Sequence, residues 1–165
     1  METLKQATLC DILSYAAAIL SIFFTIWTAR YYKKAKNIFQ LKELWTVIAI
    51  ASESKIKVSE LIVMISAQSL GIGRRGKSFA QQLLFLADRI NKSIIEIESE
   101  MPAEILDMSP INNVRTRAFY QIFLSNMSTG GNFSSSNLNE MMDLFADVVS
   151  FCKNCVEDKK EKLSN

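Results

Sequence analysis

The chain has 165 residues, 49% hydrophobic and 22% charged, with a formal net charge of +2. This composition argues against disorder and predicts one folded domain with at most one appended segment. The absence of histidine excludes His-based catalytic triads, His-ligated metal and histidine general acid–base chemistry. Five Gly and two Pro leave few turns for a many-stranded protein, so we expect an all-α fold.

The first predicted element is a transmembrane helix over residues 12–29, ILSYAAAILSIFFTIWTA, which carries no charge. At about 1.5 Å per residue this helix is roughly 27 Å long, close to the roughly 30 Å hydrocarbon core of a bilayer. A cleaved signal peptide and a buried helix of a soluble bundle are the alternatives. Both are disfavoured, because the aromatic and basic residues follow the apolar run: Trp27, Arg30, Tyr31, Tyr32, Lys33, Lys34 and Lys36.

The same charge asymmetry predicts the orientation. Basic residues are retained on the cytosolic side of a membrane helix. We therefore expect residues 1–11 to be an extracytoplasmic tail and residues 30–163 to be a cytosolic helical domain. The chain is therefore expected to cross a membrane once.

One stripe of the membrane helix carries small or polar residues at intervals of three and four: Asp11, Ser14, Ala18, Ser21, Thr25 and Thr28. Small side chains let helices approach closely, and hydroxyls in lipid need partners, so copies of this helix should associate. One interpretation is a tight helix dimer or trimer. The other is a ring around a wet pore, with Asp11 at the outer mouth and Arg30 at the inner mouth. The Asp11 charge favours the pore, although snorkelling of its carboxylate explains it nearly as well.

The cytosolic part reads as a succession of helices. Apolar residues at helical intervals predict a helix over residues 37–70, either continuous with the membrane helix or broken near 52–55. A second helix follows the glycines and ends at Pro102. A short connector with an acidic edge spans residues 102–110, and a third helix covers residues 112–126.

The C-terminal region is predicted to begin with a Gly/Ser-rich loop, MSTGGNFSSS. A last helix over residues 138–163 follows, with Asn137 and Glu140 arranged as a capping box. Its apolar face includes Cys152, so the Cys152-x-x-Cys155 pair is interpreted as a buried structural thiol rather than a redox centre. The pair has too few ligands for a zinc site, and we expect neither a metal nor another cofactor.

Residues 71–78, GIGRRGKS, match the phosphate-binding loop pattern G-x-x-x-x-G-K-[ST]. A nucleotide site of this kind needs a buried strand before the loop and an acid at the end of another strand. The preceding SELIVMISAQSL does not read as such a strand. The segment is therefore interpreted as a helix-to-helix turn whose basic residues could bind an anion such as a lipid headgroup or RNA: Arg74, Arg75 and Lys77.

An N-out membrane helix followed by about four helices, with an Arg-rich third helix, resembles the small membrane accessory proteins of type VI-B CRISPR systems. That resemblance implies a HEPN-like cytosolic domain, assembly into a pore in the bacterial inner membrane and a role in anti-phage defence beside an RNA-guided nuclease. The family signature is Arg, four to six residues, then a polar residue, usually His. Here the candidate is Arg115 to Tyr120, RTRAFY. Tyrosine in place of histidine makes RNA cleavage doubtful, because its ordinary pKa is near 10.

The leading expectation is a non-enzymatic, homo-oligomeric membrane pore or permeabilising effector. Its expected partners are the lipid bilayer, further copies of itself, and an RNA-guided nuclease complex or RNA, with no nucleotide. The alternatives are a membrane-tethered HEPN-like protein that binds or cuts RNA, and a passive membrane anchor or adaptor.

Overall fold

The computed structural model describes residues 2–69, 77–128 and 135–164. Within these ranges the backbone alone is described at 2–12, 68–69, 77–78, 114–116, 119, 127–128 and 135. Every long element is helical: α1 Glu2–Ser69, α2 Lys77–Glu100, α3 Ala103–Leu106, α4 Val114–Ser128 and α5 Ser135–Ser164, with a 3₁₀ turn at Pro110–Asn112. The predicted all-α class is confirmed, with one long apolar N-terminal helix and a bundle of further helices.

The chain forms two compact units, Met1–Phe39 and Gln40–Asn165. This division does not test the predicted membrane boundary at residue 29, which stays a prediction. Helix α1 is unbroken through residues 52–55, so the continuous helix is the correct alternative. Ser54 is buried within this polar stretch, and its hydroxyl is satisfied inside the helix, where it donates to the carbonyl oxygen of Ile50 at 2.7 Å.

The second unit has one hydrophobic core, to which three long stripes contribute. One row of buried positions in α1 recurs at alternating intervals of four and three residues, with Ile48 buried beside it: Gln40, Leu44, Val47, Ala51, Ser54, Val58 and Leu61. In α2 the same alternation gives Leu83, Ala87, Ile90, Ile94, Ile97 and Met101 just beyond its end. In α5, intervals of three and four residues give Leu138, Met141, Phe145, Val148, Cys152 and Val156. Intervals averaging 3.5 residues are those of bundles whose helices cross at about 20°.

The connector after α2 follows from Pro102. Met101 still donates its N–H to the Ile97 carbonyl at 3.0 Å, but proline has no N–H with which to continue the helix. The Pro102 carbonyl then accepts from the N–H groups of Ile105 and Leu106, which closes the single turn α3. The predicted connector with about one turn is confirmed.

The start of the last helix was predicted wrongly. Helix α5 begins at Ser135, so Asn137 lies inside its first turn and is not the N-cap of a capping box. Ser135 and Ser136, which the sequence analysis assigned to the loop, belong to this helix. Most of the predicted Gly/Ser-rich loop, residues 129–134, lies outside the described residues.

A buried polar residue fixes the start of the core stripe on α1. Gln40 is 7% exposed, and both ends of its amide are paired. Its Nε2 donates to the carboxylate of Glu104 at 3.1 Å, and its Oε1 accepts from the ammonium of Lys159. These bonds tie α1 to α3 and α5, and the two charged partners make them stronger than neutral hydrogen bonds.

Candidate functional site: an exposed apolar helix with a polar stripe

From Leu13 to Tyr32, α1 exposes large apolar side chains around most of its circumference. Exposure is at least half at each of the following: Leu13, Tyr15, Ile19, Leu20, Ile22, Phe23, Phe24, Ile26, Trp27, Tyr31 and Tyr32. Adjacent exposed residues such as Ile22, Phe23 and Phe24 point in directions about 100° apart. A helix that is apolar around most of its circumference is suited to a nonpolar surrounding. By length and composition this helix can cross a membrane.

The predicted polar stripe lies along this helix, as far as its side chains are described. Ser14, Ala18, Ser21, Thr25 and Thr28 are all exposed. Asp11 is on the helical backbone, but its side chain lies outside the described residues. The proposed outer ring of carboxylates therefore stays a prediction.

One hydroxyl of the stripe is satisfied within the helix. The Oγ1 of Thr25 donates to the carbonyl oxygen of Ser21 at 2.7 Å. In lipid this bond removes the need for a partner from another helix. The contribution of Thr25 to helix association would therefore come from its small size, which permits close approach, rather than from an obligatory interhelical hydrogen bond.

Aromatic and basic residues alternate along one side of α1 where the apolar segment ends. The Trp27 ring meets the edges of two neighbours, Phe24 at a centroid distance of 6.4 Å and Tyr31 at 4.8 Å. A groove on this side is lined by Trp27, Arg30, Tyr31, Lys34, Ala35 and Ile38. T-shaped contacts between aromatic rings, beside guanidinium and ammonium groups, combine an apolar body with a polar, positively charged tip. This is the combination found at membrane–water interfaces.

The degenerate HEPN-like motif is only partly described. The Arg115 side chain lies outside the described residues, so its distance from Tyr120 is not part of the structure. Tyr120 is half-buried, and its hydroxyl donates to the Oδ1 of Asn91 on α2. Burial, and next the negative charge of Glu98, raise the pKa of Tyr120 above its ordinary 10.0.

A small cavity of about 10 Å³ lies beside Tyr120 and is lined by Ile94, Glu98, Ile111, Arg117, Tyr120 and Leu144. This is the space of roughly one water molecule. The Arg117 guanidinium is exposed and donates to the side-chain oxygen of Asn112. Sequence reasoning did not connect Asn91 or Glu98 with Tyr120, because both lie on another helix and no local pattern relates them to it.

The two C-terminal cysteines are embedded in the bundle. Cys152 is buried and Cys155 is half-buried on α5. Burial, and secondarily the proximity of Cys155, raise the pKa of Cys152 to about 12. The pKa of Cys155 is also raised, mainly by burial and then by Asp158, with Lys159 opposing the shift. A thiol that stays protonated at neutral pH is neither a good nucleophile nor a good metal ligand, and the predicted buried thiol is confirmed for Cys152.

The acidic edge around α3 is exposed, as the sequence predicted: Glu96, Glu98, Glu100, Glu104 and Asp107. Among the residues whose side chains are described, no three Cys, Asp or Glu side chains lie close enough together to hold a metal ion.

The basic turn of GIGRRGKS falls largely outside the described residues. Residues 70–76, which include Arg74 and Arg75, are not described, and Lys77 is described only as the first residue of α2. The segment before the loop is the helical end of α1 rather than a β-strand. Without that strand the pattern lacks the scaffold that positions a phosphate-binding loop.

No known protein family, curated protein or solved structure matches this chain.

Proposed function

We propose that this chain is a single-pass membrane protein whose copies assemble into an oligomeric pore or another membrane-permeabilising effector. The observation that carries the proposal is the part of α1 from Leu13 to Tyr32, which exposes large apolar side chains except along a stripe of small and hydroxyl-bearing residues. The proposed cellular location is the bacterial inner membrane, with the N-terminus outside.

The energetics favour a bilayer as the surrounding of this helix. Burying a large aliphatic or aromatic side chain is worth about 1.5–3 kcal/mol. Eleven such side chains are at least half exposed between Leu13 and Tyr32. Monomeric soluble proteins rarely expose a continuous apolar surface of this kind, because it promotes aggregation.

The orientation is proposed from the aromatic and basic groove. Arg30 and Lys34 line it together with Trp27 and Tyr31. Anionic phospholipids enrich the cytoplasmic leaflet, and each basic residue near it contributes about 1 kcal/mol of attraction. This end of the segment would therefore face the cytosol.

Assembly is proposed from the stripe itself. Lipid offers no hydrophobic force between helices, so close packing of small side chains is the main source of association. A passive anchor would not require Ser14, Ala18, Ser21, Thr25 and Thr28 to share one side. A ring of such helices would direct these residues inward and the large apolar ones toward lipid, as the pore hypothesis requires. The role in CRISPR-linked defence is proposed from the family resemblance alone.

The alternative of an RNA-cutting domain gains nothing from Tyr120. Its raised pKa keeps the hydroxyl protonated, and the proton is donated to Asn91. A general base needs a pKa near the working pH.

The test is to image the full-length protein in detergent and to measure dye release from vesicles that contain it. We expect ring-shaped particles and rapid release. Ser21→Leu should reduce assembly or release at least several-fold, because it places a bulky side chain on the stripe. The matched control Phe23→Leu, on the opposite apolar surface, should be tolerated. A monomer or simple dimer that leaves vesicles intact would refute the pore, and equal effects of the two variants would refute the proposed facing.

A further inference from the structure

The part of helix α1 that belongs to the second unit has two different long faces. One is the buried core stripe from Gln40 to Leu61. The other, here called the outer face, is exposed and uncharged along its centre: Trp45, Ala49, Ser52, Ile56, Ser59 and Val63. Trp45 is 49% exposed, Ile56 61% and Val63 64%.

The spacing of the outer face is that of a helix–helix seam. Its six residues follow one another at intervals of four and three, as do the a and d positions of a heptad repeat. The Lys160 ammonium lies over the Trp45 ring, 5.6 Å from the ring centre. A solvated helix face with no partner would normally carry charges at some of these positions.

Charges flank the outer face on both sides, and their arrangement depends on the direction of a partner helix. Glu53 and Glu60 lie on one flank, and Lys55 lies on the other. In a parallel pair, a residue on the second flank meets the residue five positions further along in the partner. Lys55 would therefore meet Glu60 of a second copy.

An antiparallel pair would have the opposite electrostatics. There each flank faces its own equivalent, so the flank with Glu53 and Glu60 would meet the same two acids. Within the part of the chain that the structure describes, Lys55 and Glu60 take no ion-pair partner, whereas Glu53 is paired with Lys57 at 2.8 Å. The charge pattern therefore fits a parallel second copy.

We infer that the outer face is a homotypic interface, on which α1 of one copy packs in parallel against α1 of another. This inference rests on the proposed function in one respect: copies inserted in one membrane with one orientation are necessarily parallel. It extends the proposal by assigning a specific surface of the bundle to assembly.

The experiment is disulfide cross-linking of the full-length chain in anionic phospholipid vesicles. Ile56→Cys is introduced into a Cys10→Ser background, since Cys152 is buried and Cys155 half-buried. We expect Ile56→Cys to form linked dimers at least tenfold faster than the matched control Gln82→Cys, an exposed position on α2. Equal rates would overturn the inference.

The charge pair tests direction. In the Ile56→Cys protein, Lys55→Glu should reduce the cross-linking rate about threefold, as expected for an exposed ion pair. Adding Glu60→Lys should restore it. If the double variant stays as slow as the single one, the parallel register is wrong.

Dye release from the same vesicles separates this inference from the proposed function. Rapid cross-linking without release would support the interface and refute the pore. Release without cross-linking above the Gln82→Cys rate would support the pore and overturn the interface.

Discussion

Cys152 allows a quantitative test of how burial in the bundle changes the acidity of a thiol. Its side chain is fully buried, and its pKa rises from 9.0 to about 12. At pH 8, a thiol with a pKa near 9 is about 10% thiolate, whereas one with a pKa near 12 is about 0.01% thiolate. Because the thiolate is the reactive species, Cys152 should alkylate about 1000-fold more slowly in the folded protein than in the unfolded chain.

The assay is iodoacetamide labelling at pH 8, followed by mass spectrometry of the peptide that contains Cys152. The protein is labelled both folded in detergent and unfolded in denaturant, and the two rates are compared. Similar rates in the two states would refute the argument that burial controls this thiol.

The same pKa shift makes stability fall with rising pH. The folded pKa of Cys152 lies above the unfolded value, so between about pH 9 and pH 12 the folded state retains a proton that the unfolded state releases. The contribution of Cys152 to the free energy of unfolding is fully present below about pH 9. Above this pH it is lost, at up to about 1.4 kcal/mol per pH unit. Cys152→Ala should flatten this decline in denaturant titrations. An unchanged slope of the free energy of unfolding against pH would contradict the assignment to Cys152. The raised pKa of Cys155 adds a smaller decline in stability to both proteins.

Two further predictions concern the bundle. Phe145→Ala removes a fully buried ring and should lower the free energy of unfolding by about 3–5 kcal/mol in urea titrations. Its control Phe85→Ala, on a ring 60% exposed and contacted by Arg89, should cost about 0.5–1 kcal/mol, and equal losses would show that the core is assigned wrongly. Tyr120→Phe should cost about 1 kcal/mol, because the Asn91 oxygen loses its donor. An unchanged unfolding midpoint would mean that water replaces the hydroxyl at no cost.

The division of α1 into two faces illustrates the limit of sequence reasoning. Leu44, Trp45, Ile48 and Ile56 all fall at helical intervals, and the sequence therefore predicts the helix correctly. It does not separate Leu44 and Ile48, which are buried, from Trp45 and Ile56, which are exposed. Gln40 and Ser54 complete the buried stripe, and their polar side chains hide its regular spacing in the sequence.

The sequence by itself determined the helical class, the apolar N-terminal segment and the break at Pro102, because these depend on local properties. Charge-free length predicts a membrane helix, and a missing N–H ends a helix wherever it occurs. The tertiary structure decided which side of each helix is buried, since that depends on residues far away in the chain. It paired Gln40 with Glu104 and Lys159, brought Asn91 to Tyr120, and left the outer face of α1 exposed.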